Sequence, residues 1–103
     1  LLIAPQSGEP TVRSGANKFL RTDLEKILKD KGVQTVIVTG TASNGAVLNT
    51  AAMAALLGFK VVLPVDATAS DAFADMYTVW HLANGPGGVG PNTTITRMDM
   101  IKF

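Results

Sequence analysis

Cysteine is missing from all 103 residues, which excludes a disulfide, a thiolate metal site and a thiol nucleophile. Strong charge of either sign is missing too. Nine Lys and Arg against eight Asp and Glu give a net charge of +1, so no basic excess recommends nucleic acid as a partner. No apolar run is fit to span a membrane: the longest charge-free stretch, from Val33 to Phe59, is split in its middle by Thr, Gly, Ser and Asn. No signal-peptide pattern is visible, and a cytoplasmic location is the expectation. The chain opens on Leu rather than Met, from which a truncated or processed start is inferred. What is present is apolar chain, 47% hydrophobic, in a length suited to one domain with one core.

The pattern alternates strands and helices. Pro5, Gly8 and Pro10 punctuate a loop-like lead, and Thr11-Val12-Arg13 is expected as a short strand with Arg13 at its carboxyl end. Thr22-Asp23-Leu24-Glu25 reads as a capping box opening an amphipathic helix, with Leu24, Ile27 and Leu28 on one face and Gly32 at its end. Val33 to Val38 reads as a buried strand. A turn follows, then an uncharged, alanine-rich helix from Ala46 to Leu57. A helix apolar on every side needs cover on more than one, here from a second subunit or further chain, so a homo-oligomer is expected. Phe59 to Val65 is a second buried strand, whose pairing should stop at Pro64. Ser70-Asp71 caps a third helix with the stripe Phe73, Met76, Tyr77, Trp80 and Ala83, expected to face the core. A glycine-proline loop, Asn84 to Pro91, leads into a last strand from Thr93 to Arg97, perceived as continuing towards Phe103. Such alternation predicts a parallel α/β sheet.

The turn between the first strand and the uncharged helix, Thr39-Gly-Thr-Ala-Ser-Asn-Gly-Ala46-Val-Leu-Asn-Thr-Ala51, organises the rest. Ser43 and Asn44 are suitable N-caps, and free backbone N–H groups at the helix start face whatever sits above the sheet. In parallel α/β sheets, ligands bind outside the carboxyl ends of the strands, and this turn lies there.

This stretch resembles the nucleophile turn of the isochorismatase-like (cysteine hydrolase) superfamily, T-G-x-A/T-x-x-x-C-V-x-x-T-A, with Ala46 in place of the cysteine. Three further stretches resemble the family in order and spacing: Pro5-Gln-Ser-Gly8-Glu9 with Val12-Arg13, Phe19-Leu-Arg-Thr22-Asp23-Leu24, and Gly58 to Ser70 with Asp66-Ala67 inside it. The resemblance implies a three-layer αβα, Rossmann-like fold with a parallel sheet. Residues 1–103 then correspond to the later half of a single domain, an incomplete one. The family's D-x-Q-x-x-F motif, which carries its acid/base aspartate, is not in the sequence, and its lysine aligns with Arg13.

Arg13 keeps a positive charge and can fork onto a carboxylate, but it cannot shuttle protons. Ala46 cannot attack an amide or nitrile. Family members without the cysteine hydrolyse a vinyl ether with the aspartate as acid, so the resemblance leaves an enzyme open. The backbone amides of Ala42 and Ala46 match its oxyanion hole, and Asn44 and Ser43 are substrate-binding candidates. The resemblance further implies a cis Thr41–Ala42 peptide and two convergent amides beneath a pocket bordered by Arg13. The expected function is therefore hydrolysis of a small molecule without a thiol. The alternatives are an inactive binding or assembly module, or an engineered Cys-to-Ala form of a cysteine amidohydrolase.

Other signals carry less. Gly85-x-Gly87-x-x-Gly90 fits a dinucleotide fingerprint by letter but follows a helix and precedes a strand, the reverse of the required order. His81 has no partner at metal spacing, so neither metal nor cofactor is expected. Asp66 is expected to hold a loop. Asn92-Thr93-Thr94 is a glycosylation sequon that means little without a secretory signal.

Overall fold

The computed structural model describes residues 6–102; Pro5, which opens the lead motif, and Phe103 lie outside them. Three parallel strands make the sheet, in the order β1 (Thr35–Ile37), β3 (Lys60–Pro64) and β5 (Thr93–Thr96). Val36 sits opposite Val61, and Leu63 opposite Ile95, so these apolar side chains share one face of the sheet. A second, two-stranded parallel ladder pairs β2 (Gly40–Thr41) with β4 (Thr68–Ala69) just beyond the carboxyl ends of β1 and β3. Among the described residues, four α-helices accompany the strands: α1 (Leu24–Asp30), α2 (Leu48–Leu56), α3 (Ala72–Asn84) and α4 (Val89–Asn92). The expected parallel α/β architecture is present.

The central strand is the most enclosed. Val61 and Leu63 are fully buried, and ladder pairing to β5 runs to Pro64, where the chain leaves the sheet in a 3₁₀ turn. Proline has no N–H to extend the ladder, which is why the strand stops there. α2 lies across this strand with Ala51, Ala54 and Ala55 buried, the small side chains letting the backbone approach closely. Phe19, stacked on Phe59 with 6.1 Å between ring centroids, closes the core beside it. Most of the cover expected from a second subunit is thus supplied by this chain, and Leu56 alone of the helix's large apolar residues stays exposed.

Four expectations are corrected. Thr11-Val12-Arg13 is not a strand, because no described strand lies beside it to form a ladder and one apolar residue between Pro10 and Ser14-Gly15 gives it no face to bury. β1 is not buried: it is the sheet's edge among the described residues, with Thr35 and Ile37 exposed and Val36 half-buried. The capping box does not form. Thr22 Oγ1 instead donates to the carbonyl of Lys18 (2.6 Å) and accepts from Leu24 N (3.4 Å), drawn back towards the preceding turn. Last, the stripe of α3 faces out. Phe73, Met76, Tyr77 and Trp80 are 76%, 66%, 44% and 62% exposed, while Ala74, Thr78 and Leu82 are buried.

The cap of α3 is as expected, with Asp71 Oδ1 accepting from Ala74 N at 2.8 Å. Beyond its far end, the glycine-proline segment contains the short helix α4. A Cβ on Gly90 would lie 2.8 Å from the Ala83 carbonyl oxygen, and one on Gly85 would lie 2.7 Å from Val89 Cγ1. Gly85 and Gly90 of the letter-by-letter fingerprint thus serve the packing of α4 on α3.

Replacing Leu63 by Ala should lower the unfolding free energy by about 2–5 kcal/mol, through lost burial and the cavity left in a tightly packed site. Urea unfolding followed by far-ultraviolet circular dichroism measures it.

Candidate functional site

The turn after β1 is built from an unusual sequence of local constraints. Gly40 takes φ +115°, a conformation that side chains resist, and pairs in register with Thr68. The Thr41–Ala42 peptide is cis. Residues Ser43–Val47 then form one π-type turn, in which Gly45 departs from helical geometry (φ −109°, ψ −106°), before α2 begins. The carbonyl of Ala42 receives the amides of Gly45 (3.0 Å) and Val47 (3.3 Å), passing over the amide of Ala46 between them. Asn49 Nδ2 holds the Gly45 carbonyl at 2.9 Å.

Ser43 does not cap a helix. It is fully buried, and its Oγ donates to Asp75 Oδ1 in the first turn of α3. Its hydroxyl is therefore engaged within the fold and turned away from any substrate above the turn. Asn44 and Ala42 are exposed, and Ala46 is half-buried. Asp66 holds a loop as expected: Oδ1 accepts from Met98 N at 2.9 Å, and Oδ2 stands 3.7 Å from the Arg97 guanidinium. His81 Nδ1 lies 3.1 Å from Tyr77 Oη.

Arg13 is exposed and forms no ion pair among the described residues. It borders a shallow pocket of about 340 Å³ with Ser14, Asn17, Leu20 and Arg21, the last held at φ +57°. None of the residues lining that pocket belongs to the 42–46 turn. The two places are tied together through Thr50, one helical turn past Ala46. Its Oγ1 donates to the Ala16 carbonyl (3.2 Å) and accepts from Lys18 N (3.1 Å), which docks the Arg13 loop onto α2.

The isochorismatase domain model matches residues 2–89. The chain belongs to the isochorismatase family. An isochorismatase-like hydrolase from Alkaliphilus metalliredigens superposes with a TM-score of 0.82 at 30% identity, over 94% of this chain and 51% of that one. An uncharacterized isochorismatase family protein of Bacillus subtilis (strain 168) is 31% identical over 81 residues, which is 78% of this chain and 43% of that protein. The N-carbamoylsarcosine amidase of an Arthrobacter species is 36% identical over 63 residues, 60% of this chain and 24% of that enzyme. The chain spans less than half the length of these two curated relatives.

Two structural residues of the site escaped the sequence reading, Asp75 and Thr50. Asp75 had a usable signal: Ala74, Thr78 and Leu82 recur every four residues, and an acid next to such a stripe sits at the border of the buried face.

Ser43→Ala strips Asp75 of its donor from the turn while leaving the carboxylate half-buried. It should lower stability by about 1–3 kcal/mol in urea unfolding. Asp75→Asn, which keeps an acceptor oxygen, should lose less.

Proposed function

We propose that this chain forms the anion-holding part of an isochorismatase-fold hydrolase of a small molecule, working without a nucleophilic thiol. The observation that supports the reading is the turn itself: Ala42 to Ala46 stand at the head of α2, just beyond the carboxyl end of β1, with Ala42 and Asn44 exposed. N–H groups at a helix start favour negative charge, both as donors and through the partial positive charge of the helix end. The amides of Ala42 and Ala46 would together hold an oxygen on which charge accumulates during hydrolysis. Asn44, exposed on the same turn, is the side chain best placed to contact a substrate there.

Arg13 contributes a permanent positive charge suited to a substrate carboxylate, held as a fork rather than as a proton carrier. Ala46 contributes no side-chain chemistry, so no thioester forms. Proton transfer falls to a group outside these residues, since Arg13 stays protonated and the turn offers no acid of its own. The separation of the Arg13 pocket from the 42–46 turn favours a second reading, in which the same fold binds a small anion without turning it over.

The test is hydrolysis of N-carbamoylsarcosine and of a carboxylated vinyl ether by the protein and by its Ala46→Cys form. The unmodified protein should show no iodoacetamide-sensitive step and no amide hydrolysis above background. Amide hydrolysis by the unmodified protein at an ordinary enzymatic turnover, about 1 per second or more, would overturn the thiol-free reading. Vinyl-ether hydrolysis separates the two readings, for the binding module shows none. Where turnover is seen, Arg13→Ala should raise KM for the carboxylated substrate at least about tenfold, with a smaller change in kcat.

A further inference from the structure

We infer that the pocket lined by Arg13 and Arg21 is a binding site for a compact dianion, a phosphate group or a short dicarboxylate, held by both guanidinium groups. The inference rests on the anion-holding role given to Arg13 above and goes beyond it, since Arg21 becomes a second ligand and binding requires no turnover. From Arg13 to Arg21 the chain carries Arg13, Lys18 and Arg21 and no acidic residue, in a protein whose net charge is only +1. None of these cations forms an ion pair among the described residues, and no acid lines the pocket. Lys18 Nζ donates to the Ser14 carbonyl at 3.0 Å, which keeps the third charge on the same loop. Like charges gathered without a carboxylate repel one another, and an anion among them relieves that repulsion. Each guanidinium presents paired N–H donors, so two of them suit a group with several charged oxygens better than a single carboxylate.

The backbone is arranged as such a site needs it. Arg21 takes φ +57°, the one positive φ at a non-glycine residue among the described residues. Glycine adopts that conformation freely and a residue with a Cβ does not, so the arginine stands here against local preference. Outliers of this kind point towards function. The loop is also fixed before any ligand arrives. Thr50 Oγ1 donates to the Ala16 carbonyl (3.2 Å) and accepts from Lys18 N (3.1 Å). Thr22 Oγ1 donates to the Lys18 carbonyl (2.6 Å), and Asn17 Oδ1 accepts from the amide of Phe19 (2.9 Å), whose ring is buried in the core. A loop held in this way loses little freedom on binding. The main-chain N–H groups of Gly15 and Ala16, both lining the pocket, donate to no protein group among the described residues. At about 340 Å³ the pocket is at the small end of the range for ligand sites, which suits a compact ion.

Isothermal titration calorimetry of the chain with inorganic phosphate, malonate and acetate is the test, at about pH 8, where phosphate is a dianion, and at low, fixed ionic strength. The expected result is one site per chain, with a dissociation constant of about 1 mM or tighter for phosphate or malonate and at least about tenfold weaker binding of acetate. The tighter of the two dianions names the source. Arg21→Gly and Arg13→Gln should each weaken dianion binding at least about tenfold. Arg21→Gly should do so with no loss of stability in urea unfolding, since glycine accepts the left-handed φ. Lys31→Gln, an exposed cation outside the pocket, should leave the affinity unchanged. Absence of saturable binding below about 10 mM, equal affinity for acetate, or undiminished binding by the folded Arg21→Gly chain overturns the inference. Affinity is read without turnover. A chain that binds a dianion and hydrolyses nothing therefore keeps the site and loses the hydrolytic reading, and one that hydrolyses without binding a dianion does the reverse.

Discussion

The hydrogen bond from Ser43 to Asp75 is the constraint on which the arrangement turns. Ser43 is fully enclosed, and a buried hydroxyl without a partner costs more than the bond itself contributes, so the fold must bring an acceptor to it. The acceptor comes from α3, 32 residues away. Fixing Asp75 towards the turn fixes the rotation of the whole helix, because each residue advances 100° around the axis. Ala74, Thr78 and Leu82 then face inward, and Phe73, Met76, Tyr77 and Trp80 have no choice but to face out. One polar contact thereby sets both the floor of the candidate site and the character of the outer surface.

That dependence explains what the sequence disclosed and what it hid. Local chemistry was readable: the β-branched run of β3, the Asp71 cap, the end of the strand at Pro64 and the loop role of Asp66 all rest on neighbours in the chain. The face of α3 was not, because two stripes compete on it. Ranking by hydrophobicity selects the aromatic stripe, whereas packing against α2 and the sheet selects the small one, since the alanines of α2 leave room only for close approach. Likewise β1 has the composition of a buried strand, yet burial depends on neighbours that composition does not name. The Thr22 capping box failed for a related reason: the same hydroxyl had a nearer carbonyl at Lys18.

The candidate site divides in the same way. The turn from Gly40 to Val47 was legible as a motif, and its main-chain geometry is where the motif locates it. Its supports were not legible. Asp75 reaches it from another helix, and Thr50 clamps the Arg13 loop through two main-chain groups of a segment with no regular structure. Arg13 itself aligned by spacing alone, and spacing along a chain carries no direction in space. It borders its own shallow pocket rather than the space above Ala42 and Ala46.

Within the turn, the side chain of Ala46 is one on which the scaffold does not depend. Ser43 anchors the turn to α3, Asn49 ties down the Gly45 carbonyl, Gly45 supplies the kink, and the Ala42 carbonyl collects two amides. None of these contacts involves the side chain at position 46. A turn held entirely by its neighbours keeps its shape whether that position carries a methyl group or a thiol. The side chain at 46 and the main-chain amides of the turn are thus physically separable in this fold: one substitution changes the first and leaves the second in place. A methyl group at 46 consequently offers no side-chain chemistry of its own, while the main-chain path of the turn stays as its neighbours set it.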